Sequence, residues 1–447
     1  MLDFFEKTKN KVKAYEDFLK QNGVLKVKKW EDIPICDKQN YLLRYPIQEL
    51  AKEDISKAFL IGTSSGFSKS GSVFWLKESI DEEAYLQAVK ELMIDNYFID
   101  KKKTLIIVSL AFGTWIGGMQ LATTLRNLAA NMDEVTVATP GLDLKEAAEI
   151  AKEFGKFYDT ILWVVNPSSI NIIYSLLKNE SFLLDGKIVF PVVGEYFSEN
   201  FREEIALKFG HPKEYPFMLR TGYGSADAGD LGIEFEETIN LRKFLNQNLE
   251  LCQKLFSRDE APMMFVKNEK ALIEIIDEEI VVTKDQFIPL VRYNTKDRGG
   301  ILDKKMIKNY IDENFYKKLP DEILYVFGRV SDSIIFYGTN LNITKIGDFL
   351  SSLKGMEYAG LFEVEEKEQN GVSFFEFVIY IQNTQNNYEK LYLKELTNFL
   401  KRSSNEFEAK YDKLSGAIGK DLIKVVLKPI EKLKIDKKHR FIKDTHA

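Results

Sequence analysis

One glycine-rich segment, residues 62–71, has a composition suited to binding phosphate. It holds three glycines, five hydroxyl side chains and one lysine within ten positions. Its sequence is Gly62-Thr63-Ser64-Ser65-Gly66-Phe67-Ser68-Lys69-Ser70-Gly71. Glycine lets the backbone approach an anion closely, so that N–H groups, hydroxyls and Lys69 can face a phosphate together. The spacing of a Walker A loop is not met, and a plain surface loop is the alternative interpretation.

A second segment places an aromatic ring four residues before a carboxylate, within a run of small residues. Its sequence is Tyr223-Gly224-Ser225-Ala226-Asp227-Ala228-Gly229. A flat base can stack on the ring of Tyr223, while Asp227 can hold a divalent cation against phosphate groups. The alternative interpretation is an ordinary turn, in which tyrosine and aspartate stand beside glycine for local reasons.

Two further segments carry charged residues suited to a ribose and to a hinge. We interpret residues 292–299 as a strand end followed by a charged turn, in which Asp297 can accept two hydrogen bonds from a ribose diol. At a predicted domain boundary, Gly328-Arg329-Val330-Ser331-Asp332 offers a hinge aspartate and an arginine that could contact a nucleotide. A solvated turn with local ion pairs is the alternative for residues 292–299. The basic tail, residues 428–443, is either a solvated face or a source of positive charge for an active site.

The elements that must position these segments show an α/β pattern between residues 101 and 210. Short β-branched runs alternate there with longer segments of helical periodicity, which is typical of βαβ units that build a parallel sheet. The predicted strands are residues 104–109, 134–138, 161–165 and 187–193, and a predicted helix covers residues 144–154.

The remaining pattern indicates an antiparallel region and a small terminal unit. Short strands with polar turns follow Gly232, and a hairpin signal at Asn370-Gly371 stands among further helices and strands. These predicted elements are strands at residues 271–277, 279–283, 289–293 and 422–427, and helices at residues 345–353 and 388–402. We expect a large N-terminal domain, residues 1–328, of which residues 233–328 form a mainly antiparallel β sub-domain. A small mobile α+β domain, residues 329–447, follows it.

The composition indicates a folded protein that acts on small molecules. Of the 447 residues 45% are hydrophobic, and the net charge of −6 offers no attraction to nucleic acid or anionic lipid. Cys36 and Cys252 stand far apart, which excludes a disulfide framework and a cysteine-rich zinc site. The uncharged stretch at residues 104–125 contains glycines and threonines, which favours a buried strand, a turn and a helix start over a membrane span. We expect a cytoplasmic protein with no nucleic-acid or membrane partner.

Together, the order and spacing of these segments resemble the adenylate-forming superfamily, and within it the phenylacetate–coenzyme A ligase branch. The Ser64–Lys69 segment is similar to a Ser-Ser-Gly-Thr-Thr-Gly-Lys loop, and Tyr223–Asp227 is similar to Tyr-Gly-x-Ser/Thr-Glu. The further similar segments are Arg292–Asp297 (Arg-Tyr-x-Thr-Gly-Asp), Gly328–Asp332 (Gly-Arg-x-Asp-Asp), Val193-Gly194-Glu195 (a Gly-Glu element), Phe112–Gly118 (an aromatic, glycine-rich segment) and Lys437–Arg440 (part of Gly-Lys-x-x-Arg-Val). Several degenerate motifs in the right order are far more specific than any one of them.

The resemblance implies an acid–thiol ligase that uses ATP, Mg²⁺ and coenzyme A. Adenylation of a small carboxylic acid releases pyrophosphate, and a thiol then displaces AMP. The implied roles are catalysis by Lys437; ATP or AMP binding by Ser64, Ser65, Gly66, Ser68, Lys69, Gly194, Glu195, Tyr223, Gly224, Ser225, Asp297 and Arg329; Mg²⁺ binding by Asp227; a hinge at Asp332; and an acyl pocket at Phe112, Trp115, Gly117 and Gly118.

Some positions depart from the family pattern, and two other functions stay open. Ala226 stands where the family has a hydroxyl, Lys296 and Asp436 replace glycines, and the phosphate loop lacks its second glycine. One alternative keeps adenylation but transfers the acyl group to a carrier protein, a protein thiol or an amine. The other is a nucleotide-binding relative without turnover. The sequence leaves the acid, the acceptor and the oligomeric state open.

Overall fold

The computed structural model describes most of the chain. The described residues are 1–24, 26–63, 74–114, 116–258, 260–329, 333–353, 356, 358–369, 371–381 and 388–429. Within them, no helix combines the length and the apolar character that crossing a bilayer requires.

The helices and strands are numbered here in chain order. The α-helices are α1 Leu2–Lys11, α2 Lys13–Gln21, α3 Ile47–Leu50, α4 Ser79–Tyr97, α5 Ile116–Ala129, α6 Leu144–Phe154, α7 Ile170–Leu177, α8 Glu199–Lys208, α9 Glu236–Gln247, α10 Leu249–Phe256, α11 Glu313–Lys318, α12 Ile343–Ser352, α13 Glu389–Ser403 and α14 Asn405–Ile418. The strands are β1 Leu60–Thr63, β2 Phe74–Lys77, β3 Thr104–Val108, β4 Val135–Ala138, β5 Thr160–Val164, β6 Ile188–Val192, β7 Leu219–Ser225, β8 Gly229–Ile233, β9 Met263–Lys267, β10 Leu272–Ile276, β11 Glu279–Lys284, β12 Leu290–Asp303, β13 Glu322–Arg329, β14 Ser333–Phe336, β15 Thr339–Asn342, β16 Tyr358–Gln369, β17 Val372–Ile381 and β18 Ile423–Pro429.

One large mixed sheet organises the first three quarters of the chain. Its strand order is β10-β11-β12-β13-β9-β8-β7-β6-β5-β3-β4. Strands β4, β3, β5, β6 and β7 pair in parallel, whereas the remaining pairs are antiparallel. Every residue of β3 is buried, because helices cover both faces of a parallel sheet and a buried strand is then apolar on both sides. The predicted parallel and antiparallel regions are therefore halves of one sheet that meet at β7.

Strand β12 is longer than the sequence analysis predicted. The segment interpreted as a charged turn, residues 292–299, lies inside this strand, which runs on to Asp303. Arg292 and Lys296 adopt left-handed backbone angles, with φ of 48° and 64°, and the pairing with β13 shifts register after Arg298. Bulges of this kind let a strand continue through a charged, irregular sequence. The prediction of a turn at this segment was wrong.

A smaller α+β unit follows β13. Strands β14 and β15 form a hairpin, and a second sheet has the order β16-β17-β18, with β17 and β18 parallel. Strands β16 and β17 pair antiparallel with Gln369 opposite Val372, and of the predicted hairpin signal at residues 370–371, Asn370 lies outside the described residues. Helix α14 was not predicted. The α/β class, with a mixed sheet and a C-terminal α+β unit, is confirmed, while the domain boundary at residues 328 and 329 stays a prediction.

Candidate active site

Several of the described predicted site residues lie at or after the carboxyl ends of parallel strands. Phe112 follows β3, Gly194 follows β6, and Tyr223 lies near the end of β7. Parallel strands present all their carboxyl ends at one edge, and a ligand crevice in an open α/β sheet lies outside that edge. The topology thus brings segments that are far apart in sequence to one side of the sheet.

Tyr223 and Asp297 are in direct contact, although 74 positions separate them. The Tyr223 hydroxyl donates a hydrogen bond of 2.8 Å to Oδ2 of Asp297. The ring of Tyr223 packs against Phe265, with 5.7 Å between centroids. Asp297 is 7% exposed, and in the β12–β13 ladder it is paired with Arg329, the last residue of β13. Three residues predicted to contact the nucleotide therefore meet at this end of the sheet.

Asp227 is held by groups from the segment that joins β11 to β12 and from β12 itself. The Tyr293 hydroxyl donates to Oδ2 of Asp227 at 2.6 Å, and the Gln286 amide donates to its carbonyl oxygen at 2.8 Å. One residue further on, the Lys284 ammonium group donates to the carbonyl oxygen of Ala228 at 2.8 Å. Asp227 as a whole is 9% exposed, and the hydrogen bond from Tyr293 orients its carboxylate.

A single oriented carboxylate suits Mg²⁺ when phosphates supply further ligands. Mg²⁺ in nucleotide sites usually keeps several waters and takes one or two carboxylates, together with phosphate oxygens. In the described part of the chain no group of three or more His, Cys, Asp or Glu side chains is placed to hold a metal. Asp227 therefore fits a cation that is brought with a nucleotide.

The chain bends at Gly194, two residues after the end of β6, and we call this bend the Gly194 turn. Gly194 has φ of +85°, a conformation that favours glycine. The amide nitrogen of Asn166 donates to the Val193 carbonyl oxygen at 2.8 Å, which fixes the turn from the adjacent strand end. Ser225, at the end of β7, accepts a hydrogen bond from the Ala228 N–H at 3.0 Å and closes the neighbouring loop.

The predicted acyl-pocket segment lies beside the strand that leads into the phosphate loop. The Thr63 N–H donates to the Thr114 carbonyl oxygen at 2.7 Å. A methyl group on Gly117 would meet no atom within 4 Å, so this glycine faces open space. By contrast, a methyl group on Gly118 would lie 2.0 Å from the Ala111 carbonyl oxygen, because the start of α5 packs closely on the preceding segment. Among the described residues there is therefore room beside Gly117 and none beside Gly118, and the acyl-pocket role of both stays a prediction.

Several predicted residues lie outside the described residues. They are Ser64, Ser65, Gly66, Ser68, Lys69, Trp115, Asp332 and Lys437. Their roles stay predictions. For Arg329 the structure describes the backbone only.

The sequence analysis missed a buried cluster of charged residues, which we call the lower cluster: Glu199, Arg202, Glu234 and Arg242. Arg202 and Arg242 are fully buried; Arg202 binds Glu199 at 2.9 Å and Glu234 at 2.7 Å, and Arg242 binds Glu199 at 3.1 Å. Burial alone would raise the pKa of Glu199, but the two guanidinium groups outweigh it and lower that pKa. Glu234 also accepts from the N–H of Thr221 on β7 at 3.0 Å. The cluster thus fixes the strand that carries Tyr223.

Tyr293, Gln286 and Asn166 were also missed as site residues. Tyr293 and Asp297 are four positions apart, and residues at even spacing on a strand share a face. Had residues 292–299 been predicted as strand, that spacing would have placed Tyr293 on the side of the site. No local pattern singles out Gln286 or Asn166, because their contacts depend on how distant segments fold together.

Comparison with known proteins shows similarity to solved structures at the level of the fold. No family model and no curated protein matches the sequence. A 2-hydroxyisobutyryl-CoA ligase, solved with 2-HIB-AMP and CoA in the thioesterification state, has a TM-score of 0.59 and 14% identity over 98% of this chain and 86% of that chain. The same ligase in the postadenylation state has a TM-score of 0.53 at 13% identity, covering 99% and 87%. Amide bond synthetase McbA from Marinactinospora thermotolerans has a TM-score of 0.51 at 11% identity, covering 86% and 68%. This chain therefore has the fold of the adenylate-forming ligases.

Proposed function

We propose that this protein adenylates a carboxylic acid with ATP and transfers the acyl group to coenzyme A. Two hydrogen bonds between distant segments support the proposal: Tyr223 on β7 bonds to Asp297 on β12, and Tyr293 on β12 bonds to Asp227 in the loop after β7. In the first step a carboxylate oxygen attacks the α-phosphorus and pyrophosphate leaves. In the second step the thiol sulfur attacks the acyl carbon, AMP leaves with the electron pair of the broken C–O bond, and the thiol proton passes to solvent.

The nucleoside would occupy the space around Tyr223 and Asp297. Adenine stacks on the Tyr223 ring, which Phe265 supports from the protein side. The Asp297 carboxylate accepts hydrogen bonds from the two ribose hydroxyls, and bonds to a charged acceptor are roughly twice as strong as neutral ones. Arg329 adjoins Asp297 through strand pairing, and Gly194, Glu195, Gly224 and Ser225 complete the contacts with backbone and short side chains.

The phosphates would meet Asp227 and the loop that follows β1. Bound Mg²⁺ would neutralise charge on the phosphate oxygens, and Asp227, oriented by Tyr293, would be its protein ligand. The Ser64–Lys69 loop would hold the β- and γ-phosphates, and Lys437 would bridge the attacking carboxylate and the α-phosphate. Phosphoryl chemistry of this kind requires positioning and charge neutralisation more than a protein nucleophile.

Measurement of AMP release identifies the compound that accepts the acyl group. Purified protein is incubated with Mg²⁺-ATP, a panel of carboxylic acids, and either CoA, a phosphopantetheinylated carrier protein or an amine. We expect AMP and an acyl-CoA thioester to form in equal amounts with one acid class. If AMP is released only when the carrier protein or the amine is present, that compound and not CoA is the acceptor. If no acid supports AMP release, the proposed enzymatic activity is rejected in favour of nucleotide binding without turnover.

Substitution of Lys437 tests whether the residue acts in only one of the two half-reactions. Replacing it with alanine removes one donor from the adenylation transition state, a loss on the scale of about 10²–10³-fold. We expect Lys437→Ala to slow adenylation by that factor and to leave thioester formation from a supplied acyl-adenylate nearly unchanged. Equal losses in both half-reactions would contradict a mechanism in which the C-terminal unit moves between them.

A further inference from the structure

The C-terminal α+β unit packs on the large unit close to the Gly194 turn. Lys413 on α14 forms an ion pair of 2.9 Å with Asp143, which caps α6, and Lys145 on α6 donates to the Gly416 carbonyl oxygen at 2.7 Å. We call Asp143, Lys145 and Asn166 the docking patch, because the nearest described contacts between the two units involve these side chains.

The hairpin turn of the small unit rests on this patch. Tyr337 and Gly338 join β14 to β15 with φ of 46° and 80°, the two left-handed angles of a tight hairpin turn. Within the small unit, the buried Lys410 donates to the Tyr337 carbonyl oxygen at 2.8 Å, and the Tyr337 hydroxyl donates to the Ser373 carbonyl oxygen at 2.7 Å. The turn is therefore a rigid part of the small unit.

Asn166 contacts both turns with one side chain. It is 7% exposed, and its amide nitrogen donates to the carbonyl oxygen of Val193, the residue before Gly194. The same nitrogen lies 2.6 Å from where a Cβ would stand on Gly338 and 3.1 Å from that of Gly194. Only glycine leaves room for the amide at Gly338, so the two turns and Asn166 fit together as one packed group.

We propose that Asn166 is a positioning residue that fixes the hairpin turn of the small unit against the Gly194 turn. The consequence for catalysis rests on the proposed function, because Gly194 and Glu195 are expected to contact the nucleotide. Docking on Asn166 then sets where the small unit lies relative to the acyl-adenylate, so loss of the contact should slow acyl transfer.

The first experiment measures acyl transfer with matched substitutions. Asn166→Asp keeps the side-chain shape but replaces the N–H donor with an oxygen that repels the Val193 carbonyl group. Asn171→Asp is the control, because Asn171 is also buried and lies near Gly371 of the small unit, but it accepts from Lys208 at 2.8 Å and aspartate keeps that bond. We expect Asn166→Asp to slow thioester formation from supplied acyl-adenylate by about 10-fold or more, and Asn171→Asp to leave that rate unchanged. An unchanged rate of thioester formation in Asn166→Asp would contradict the positioning role.

The second experiment measures docking without turnover. Cysteines replace Asp143 and Lys413, whose side chains meet, and a short bismaleimide crosslinks them; the native Cys36 and Cys252 are buried and stay unmodified. In this background we expect Asn166→Asp to reduce the crosslinking rate several-fold. Unchanged crosslinking would reject the docking role. Reduced crosslinking in a protein that never forms AMP would retain that role and reject the proposed function.

A double-mutant cycle tests the packing itself. Gly338→Ala would place a methyl group 2.6 Å from the Asn166 amide nitrogen, so we expect it to suppress crosslinking. Asn166→Ala removes that nitrogen and should restore part of the crosslinking in the double variant. The backbone strain at Gly338 is the same in both backgrounds and cancels from the comparison. Equal suppression by Gly338→Ala with and without Asn166 would contradict the proposed contact.

Discussion

Strand β7 connects two clusters of charged residues that are built in opposite ways. In the lower cluster Glu199 and Glu234 are matched by Arg202 and Arg242, and both arginines are inaccessible to solvent. In the candidate site the carboxylates of Asp227 and Asp297 accept hydrogen bonds from the hydroxyls of Tyr293 and Tyr223, which bring no positive charge.

The difference separates a cluster that supports the fold from a site that we propose binds ligand. A buried charge needs an opposite charge to offset its desolvation, and the lower cluster supplies it internally. In the candidate site, neutral hydroxyl groups orient the two carboxylates that we propose bind a cation and a ribose diol. We expect substitutions in the lower cluster to affect folding and substitutions at the site to affect binding.

The largest effect is expected for Arg202→Met. It removes the charge that compensates two buried glutamates, and breaking a buried pair typically costs about 3–5 kcal/mol. Urea denaturation followed by circular dichroism should show this loss of stability. The control is Arg298→Met, because Arg298 pairs with Glu278 at an exposed position and should change stability by about 1 kcal/mol or less. Similar losses in the two variants would contradict a structural role for the lower cluster.

Asp297→Asn should weaken ATP binding while leaving folding intact. The amide replaces a charged acceptor with a neutral one for two ribose hydroxyls, which is worth about 1–3 kcal/mol, or roughly 5–150-fold in Kd. Isothermal titration calorimetry with ATP measures the change, and the urea midpoint should stay close to that of the parent protein. A normal ATP affinity would remove Asp297 from the nucleotide site.

A smaller effect is expected for Tyr293→Phe, which removes the donor that orients Asp227. Groups that orient a metal ligand commonly contribute about 10-fold to metal affinity. The Mg²⁺ concentration at half-maximal adenylation should rise by about that factor, with the Kd for ATP without Mg²⁺ unchanged. Weaker ATP binding in the absence of Mg²⁺ would show that Tyr293 acts on the nucleotide directly.

The smallest effect is expected at Lys296, a position where the family that this sequence resembles has glycine. Lys296 has φ of 64°, a conformation that costs a residue with a Cβ about 1–2 kcal/mol. Its ion pairs with Asp37 and Glu279, at 3.4 and 3.7 Å, involve a half-exposed ammonium group and offset only part of this strain. Lys296→Gly should therefore stabilise the protein by about 0.5–1 kcal/mol. Lys296→Ala, which keeps the strain and loses the pairs, should not stabilise it.

The sequence predicted the parallel strands β3, β4, β5 and β6 well, because they are largely buried and apolar, whereas β7 was not predicted, since its end was interpreted as part of a loop of small residues. The predicted strand at residues 104–109 corresponds to β3, and the predicted helix at residues 144–154 has the bounds of α6. Strand β12 was predicted too short, since charged residues and left-handed backbone angles interrupt its apolar pattern without ending it. The motifs singled out Tyr223, Asp227 and Asp297. The hydrogen bond between Tyr223 and Asp297, however, forms only when β7 and β12 come together in the folded sheet.

Contacts between distant segments explain what the sequence could not show. Arg242 meets Glu199 across 43 positions, and nothing near either residue distinguishes it from a surface charge. Asn166 acquires its position only when β5, β6 and the small unit's hairpin come together. Buried polar groups of this kind are specified by tertiary packing, whereas periodicity reports only local structure.

The most direct test of the account is acid-dependent exchange of labelled pyrophosphate into ATP. The exchange reports reversible formation of an acyl-adenylate and requires no thiol acceptor. We expect one class of carboxylic acids to support exchange in the native protein, and Asp297→Asn to lower it in a chain that remains folded. ATP binding without exchange for every acid in a broad panel would contradict adenylation by this site.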